Sequence, residues 1–239
     1  MVRARGLSAT SRFLFQRLRS CLLLSAELRR LTYPGDLDRM LHLLIDRPFG
    51  EAQAFFSIQR PQEIARFLSV LQSIQPRVVV EIGTAGGGTL YLLTRLAAMA
   101  GVVVSVDRPG GPFGGGYGAW RGPFYRGFAR GQQRIELLRC DSHDPFTLQR
   151  LRSVLREQPI DVLLVDGDHS YDGVSKDFSD YVPLVRHCGV VALHDICPDA
   201  TQPENEVARF WRDVRDRYPH EEIIAEPGQS GYGIGLLWP

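Results

Sequence analysis

Short apolar runs alternate with segments of helical apolar spacing from about residue 57 to the end of the chain. The first run, 78–80, is three valines. Leu92, Leu93, Leu96, Ala97 and Ala100 follow at helical intervals. Further runs lie at Val102–Val106, at Ile135, Leu137 and Leu138, at Ile160–Val165 (broken only by Asp161) and at 189–193. Near-continuous runs of this kind predict central parallel strands covered on both faces. Two last strands are expected at 223–225 and 232–237. Between the runs lie helical stripes. Ile64, Phe67, Leu68, Leu71 and Ile74 form one, with Pro61 in its first turn. Leu148, Leu151 and Leu155 form another. Val174, Phe178, Tyr181, Val182 and Val185 form a third, and Val207, Phe210, Trp211, Val214 and Tyr218 a fourth. A helix is also expected from about Trp120 to Gly131. The count is seven strands with helices between the first six, an α/β fold.

Residues 1–58 precede this alternation as a helical extension, and 59–239 form the domain. The sequence Tyr33-Pro34-Gly35-Asp36 divides the extension in two. Asp36 is placed to cap the second piece, with Leu37, Met40, Leu41 and Leu44 as its buried stripe. In the first piece Arg3, Arg5, Arg12, Arg17, Arg19, Arg29 and Arg30 face a single acid, Glu27. Phe13, Leu14, Leu18, Leu22 and Leu24 are interleaved with them. Three readings stay open. The piece is an amphipathic helix on the domain or on a second subunit of a homo-oligomer, a helix on an anionic membrane surface, or an Arg-rich transit-type extension. The core stripes lie after residue 30, so the first thirty residues are expected to be dispensable for folding.

Bulk properties narrow the class. A chain of 239 residues, 44% hydrophobic and 23% charged, can bury one full α/β core. A net charge of +1 gives no case for nucleic acid as the partner. Cys21, Cys140, Cys188 and Cys197 have no paired spacing, which suits a reducing compartment. No apolar run reaches the about 18 residues of a membrane span. A cytoplasmic protein is the expectation.

The candidate chemistry sits where strands end. After 78–80 the chain reads Glu81-Ile82-Gly83-Thr84-Ala85-Gly86-Gly87-Gly88-Thr89. A glycine turn between strand and helix lets the backbone bend sharply and lets a ligand approach, beside unpaired N–H groups at the helix start. Its spacing, Glu81-x-Gly83-x-Ala85-x-Gly87, differs from the dinucleotide fingerprint. Asp107 ends the second strand, 24 positions after Gly83, where an acid can accept from both ribose hydroxyls of a nucleoside. The glycine-rich stretch 109–118 follows, a plain loop or a mobile cover with Phe113 and Tyr117 as its apolar contacts. Asp141 and Ser142 end the third strand, as adenine partners or as helix caps. The fourth delivers Asp166-Gly167-Asp168-His169-Ser170-Tyr171, and the fifth His194-Asp195. In the plainer reading Asp166 or Asp168 caps the next helix, His194 is a core histidine, and Asp172 and Asp177 are solvated. A zinc cluster of His187, Cys188, His194 and Cys197 fails on geometry. Six strand residues separate Cys188 from His194 by roughly 20 Å.

The glycine turn resembles motif I of class I S-adenosylmethionine (SAM) methyltransferases. Together with Asp107, Asp141-Ser142, the hexapeptide at 166–171 and His194-Asp195, it is similar to the group around macrocin O-methyltransferase. That group includes the cephalosporin-hydroxylase and rhamnosyl O-methyltransferase-like proteins, and the resemblance covers about 57–238. It implies a Rossmann-like seven-stranded sheet with an antiparallel last strand, and SAM as cofactor. SAM would be held by Glu81, Gly83, Thr84, Ala85, Gly87, Thr89, Asp107, Asp141, Ser142 and Asp166. It implies O-methylation of a hydroxylated small molecule or sugar, with Asp166 and His169 as catalytic residues. A divalent metal, Mg²⁺ or a softer ion, would be held by Asp166, His194 and Asp195. His194 departs from related metal-dependent enzymes, which have an acid there, and imidazole suits softer ions better than Mg²⁺. The alternatives are a metal-dependent hydroxylase-like enzyme of the same group and a catalytically silent binding module.

Overall fold

A computed structural model of the chain describes residues 9–46, 54–113 and 116–239, and side chains from residue 15 onward. Arg3, Arg5, Gly114 and Gly115 and the side chains of Arg12, Phe13 and Leu14 lie outside that description.

The chain opens with α1 (Ala9–Leu28) and α2 (Leu37–Leu41), which runs on as a π-helical turn, His42–Asp46. The expected alternation follows. It consists of α3 (Pro61–Ile74), β1 (Val78–Ile82), α4 (Gly88–Leu96), β2 (Val102–Val106), α5 (Gly122–Arg126), β3 (Arg134–Leu138), α6 (Pro145–Leu155), β4 (Ile160–Val165), α7 (Tyr171–Tyr181), β5 (Val185–His194), α8 (Val207–Val214), β6 (His220–Ile223) and β7 (Ile234–Leu237). The strands form one seven-stranded sheet in the order β3-β2-β1-β4-β5-β7-β6. β1 to β5 pair in parallel, and β7 runs antiparallel to both β5 and β6.

Side-chain alternation along the strands divides the core in two. Val79, Val103, Val162, Leu164 and Ala192 face one side, with α1 to α5. Val78, Val80, Ile82, Leu163, Val165 and Leu193 face the other, with α6, α7 and α8. Both faces are covered, so the central strands read as continuous apolar runs. Asp161 interrupts β4 for a structural reason. Its Oδ2 accepts the Arg77 and Val78 amides at 2.7 and 2.8 Å, its Oδ1 accepts Arg186 Nε at 2.6 Å, and the β4–β5 register shifts there.

Several expectations need correction. The helix expected from Trp120 to Gly131 is a 3₁₀ turn followed by the five residues of α5. The sixth strand starts three residues earlier than expected and ends at Ile223. The Ala225 amide turns to Glu63 Oε1 and Gln229 Oε1, both at 3.0 Å, and leaves the ladder. Glu63, fully buried in α3, also accepts the Gly233 amide at 2.9 Å and so fixes the β6–β7 connection. Asp36 does not cap α2 with its side chain. Its Oδ2 accepts the Thr32 amide at 2.8 Å and the Thr32 hydroxyl at 3.1 Å, closing the turn before the helix.

Part of the first thirty residues belongs to the core. Cys21, Leu24 and Leu28 of α1 are buried in the cluster that holds Val79 and Leu90, and Tyr91 donates its hydroxyl to the Leu28 carbonyl at 2.8 Å. The expectation that they are dispensable therefore meets a helix that fills space inside the fold. Leu28→Ala should cost about 2–5 kcal/mol of unfolding free energy. Leu22→Ala, at a position on the same helix that is 60% exposed, should stay within about 0.5 kcal/mol. Chemical denaturation of both variants checks this.

Candidate active site

β1 and β4 lie side by side, and the chain leaves them in opposite directions along the sheet. The crevice at their carboxyl ends is the topological switch point where α/β sheets hold ligands. The Asp166 amide donates to the Ile82 carbonyl at 2.8 Å and carries the pairing one residue past the strands. Gly83 follows at φ +88°. A Cβ there would lie 1.8 Å from the Asp166 carbonyl oxygen. Gly87, at φ +75°, starts α4, and its Cβ would fall 2.5 Å from the Tyr125 ring. Protein atoms thus claim the space that both glycines free.

The turn rests on a buried polar stack. Glu81 is fully buried, accepts the Thr84 hydroxyl at 2.5 Å, and burial raises its carboxyl well above the usual range. Thr84 Oγ1 also meets Ser105 Oγ at 2.7 Å. Thr89 Oγ1 meets Ser57 Oγ at 2.7 Å, and Phe56 forms a parallel bridge to Gly87. The segment before α3 is therefore tied to the glycine turn. Nothing in the sequence signalled this, because a two-residue bridge leaves no periodicity.

Two clefts meet at this point, sharing Gly83, Ala85, Pro112, Phe113 and Asp166. The first is also lined by Asp107, Asp141, Ser142 and His143. Asp107 Oδ2 accepts the Thr84 and Ala85 amides at 3.0 and 2.7 Å. Its Oδ1 takes no hydrogen bond from the described residues. Burial raises this carboxyl to about 6, and the two amides offset only part of that rise. Asp141 pairs with Arg108 at 3.0 Å and accepts the His143 amide at 3.0 Å. The cap of α6 is Asp144, not Asp141 or Ser142.

Beneath this cleft lies a pair that the sequence did not reveal. Asp177, expected to be solvated, is fully buried, and His143 Nε2 sits 3.3 Å from its Oδ1. The same nitrogen lies 3.1 Å from the Gly173 carbonyl, and Tyr181 donates to the Ser142 carbonyl at 2.9 Å. Helix α7 thereby grips the 141–143 loop. The contact to Asp177 holds the His143 pKa above its ordinary value, against the effect of burial.

The second cleft gathers the remaining candidates. It is lined by Phe56, Ser57, Ile58, Thr89, Asp166, His169, His194, Asp195, Asn205 and Tyr232 among others. Asp166 is its hub. Oδ1 faces His194 Nδ1 at 3.0 Å and His169 Nε2 at 3.5 Å, while Oδ2 accepts Gln59 Nε2 at 3.2 Å. His169 Nδ1 lies 3.3 Å from Asp195 Oδ2, and Asn205 Nδ2 donates to that oxygen at 2.7 Å. Phe113 stacks on the His169 ring with centroids 5.0 Å apart. The glycine-rich stretch thus contributes Phe113 to the cleft, whereas Tyr117 is buried edge-on to Tyr125. Neither Asp166 nor Asp168 caps α7. Ser170 does so, with Asp168 accepting the Ser170 amide and hydroxyl.

The acids and imidazoles of this cluster shift one another. Burial alone would raise the Asp166 carboxyl, but His194 and then His169 hold it well below its usual range. Burial would lower His194, yet Asp166 and Asp195 raise it to about 9. His169 is raised too, mainly by the hydrogen bond to Asp166 working against burial. Gln59 Oε1 and His194 Nε2 are buried without hydrogen-bond partners. The donor atoms of Asp166, His169 and Asp195 all lie within 4.8 Å of one another, so these three fit a divalent ion. His194, expected among the ligands, stands beside that group with Nδ1 turned to the two carboxylates. Gln59 and Asn205 were not legible in the sequence, being single polar residues without motif spacing.

Comparison with known proteins places this geometry. Residues 80–196 match the family described as "Methyltransferase domain". Among solved structures, the chain is similar to the O-methyltransferase from Bacillus cereus in complex with SAH. That match has 16% identity, covers 91% of this chain and 97% of that one, and has a TM-score of 0.54. It is also similar to TomG from Streptomyces achromogenes, an O-methyltransferase involved in tomaymycin synthesis, in complex with SAM. Identity is 17%, coverage 84% and 88%, and TM-score 0.52. Cofactor-bound Rv0187 from MTB matches at 17% identity over 99% and 98%, with a TM-score of 0.56. A protein of Sinorhizobium fredii printed as "Uncharacterized protein y4gI" is 26% identical over 173 residues. The match covers 71% of this chain but spans 18% of that protein's length. The chain therefore has the class I methyltransferase fold. Its residues 80–196 are similar to a methyltransferase domain.

The buried pair yields a test. The folded pKa of His143 is raised above the unfolded value of about 6.5. Its contribution to stability is therefore complete below about pH 6.5 and lost as pH rises through the folded value. The stability difference between the parent and Asp177→Asn should shrink steadily from pH 6 toward pH 9 in denaturant titrations. A difference independent of pH would remove His143 as the partner of Asp177.

Proposed function

We propose that the protein is a SAM-dependent O-methyltransferase acting on a hydroxyl of a small molecule or sugar. The observation that carries this reading is the meeting of the two clefts at Gly83 and Asp166. One presents Asp107, Asp141 and Ser142 at strand ends, which supports a nucleoside there. The other holds a histidine between two carboxylates. Gly83, Ala85 and Gly87 of the turn would border the methionine part, with Glu81, Thr84 and Thr89 bracing it. Asp107 would take the ribose through its open Oδ1, and Asp141 with Ser142 would meet the adenine. No lysine or arginine is among the described residues lining the second cleft, which supports a neutral hydroxylated acceptor over a phosphorylated one. Nucleic acid has no support from the charge.

Bound SAM supplies a methyl group already activated on a sulfonium, so the chain must align the acceptor and remove its proton. Asp195 holds His169 through Nδ1. The Nε2 contact to Asp166 is the longer one, at 3.5 Å, so Nε2 is the nitrogen placed to take the acceptor proton. Phe113 stacks on the ring and fixes its plane. His194, protonated up to about pH 9, holds Asp166 as a carboxylate and is not itself a base at neutral pH. The same carboxylate stabilises the imidazolium that His169 becomes.

A second reading rests on the convergent donors. Asp166, His169 and Asp195 would hold a divalent ion, with His194 orienting Asp166, and the ion would lower the pKa of an acceptor hydroxyl. The two readings differ in their response to a chelator. Full turnover in chelator keeps the His169-base account; loss restored by added metal selects the ion.

Calorimetry with SAM and mass spectrometry for one added methyl test the proposal as a whole. Absence of SAM binding would overturn it and leave the hydroxylase-like alternative. SAM binding without transfer to any hydroxylated acceptor would leave a silent module. His169→Ala should lower turnover by about 10²–10⁴-fold while SAM affinity stays close to the parent's. Asp107 gives a pH test. Ribose hydroxyls donate to the charged carboxylate, so SAM affinity should rise as pH passes upward through about 6. Asp107→Asn should bind roughly ten- to a hundred-fold more weakly and without that pH dependence.

A further inference from the structure

We propose that the outward face of α1 docks on an anionic lipid bilayer. The inner face of this helix is committed to the core through Cys21, Leu24 and Leu28. The outer face is not. Phe15, Leu22 and Leu23 are each 60% exposed or more. Together with exposed Arg19 and Ala26 they follow a spacing of 4, 3, 1 and 3 residues, which is one stripe of a helix. Large apolar side chains grouped on one surface mark an interaction site, unlike single ones scattered over it.

Charge identifies the occupant. The first thirty residues hold seven arginines against one glutamate. Residues 31–239 hold 21 basic against 26 acidic ones (28 less 7, 27 less 1). A surplus of six positive charges therefore sits on a body that carries a deficit of five. The one acid of this stretch, Glu27, is taken by Arg39. Exposed Arg19, Arg29 and Arg30 have no acidic partner among the described residues. An apolar stripe flanked by unpaired arginines on an amphipathic helix is the chemistry of an interfacial helix on anionic headgroups.

A second copy of the chain fits this face less well. A two-fold pairing through α1 would set the two arginine-rich stretches against each other. The three exposed apolar side chains make a patch of roughly a few hundred Å². A stable dimer buries about 800 Å² per partner. No helix among the described residues is long and apolar enough to cross a membrane, so the contact is with the surface.

The test is co-sedimentation of the full chain with vesicles of phosphatidylglycerol and phosphatidylcholine, against vesicles of phosphatidylcholine alone. Binding is expected on the anionic vesicles only and should be lost in about 0.5 M salt. Arg19→Glu with Arg29→Glu, and separately Leu22→Ser with Leu23→Ser, should each lower the partition coefficient about tenfold or more. Both pairs alter exposed positions, and circular dichroism should show helix content unchanged. Equal sedimentation with both vesicle types, or with neither, would overturn the proposal. A dimer seen by light scattering and abolished by Leu22→Ser with Leu23→Ser would also overturn it, by giving the face to a second copy.

Discussion

The approach of two backbones at the ends of β1 and β4 decides what the rest of the site can be. With no side chain at Gly83, the turn after β1 presses against the Asp166 carbonyl. That contact brings the cleft beside Asp107 and an acid–imidazole cluster onto one shared wall. Any Cβ would push the turn away from Asp166. It would also move the Thr84 and Ala85 amides, which hold Asp107. The position and charge state of Asp107 thus depend on a glycine that contributes no chemistry of its own.

From that wall outward the site is a problem in electrostatics. Two carboxylates and two imidazoles share a buried space around Asp166, Asp195, His169 and His194. Buried charges persist only when paired, and here each carboxylate faces both rings. The imidazole at 194 places a second ring against both carboxylates and offsets one of their two charges when protonated. A carboxylate at 194 would leave three acids and one ring, an arrangement that calls for an added cation.

The sequence made the architecture legible because burial on both sheet faces writes β-branched runs that turn chemistry then punctuates. The strands and the strand-end acids follow from that pattern, whereas the antiparallel β7 was implied by the resemblance to class I methyltransferases. It failed where a single contact outweighs a pattern. Glu63 pulls Ala225 out of the last ladder. Asp177 looks like a solvated helix acid until His143 is placed beside it. Asp36 serves Thr32 in place of the helix after it. Gln59 and Asn205 reach the cluster from segments with no motif, so no spacing rule could have found them. The first helix misled for a different reason. Its stripe is apolar on two sides, and only the fold shows which side is inside.

The two clefts are made of different material. The side at Asp107 is shaped largely by backbone, by amides on Asp107 and by the turn at Gly83, and a change in one part disturbs several others. The opposite wall is assembled from side chains on separate loops, among them Ile58, Phe113, Asn205 and Tyr232. Each of these can be exchanged without altering the sheet. Substitutions on that wall would reshape the second cleft while the contact between Gly83 and Asp166 stays in place.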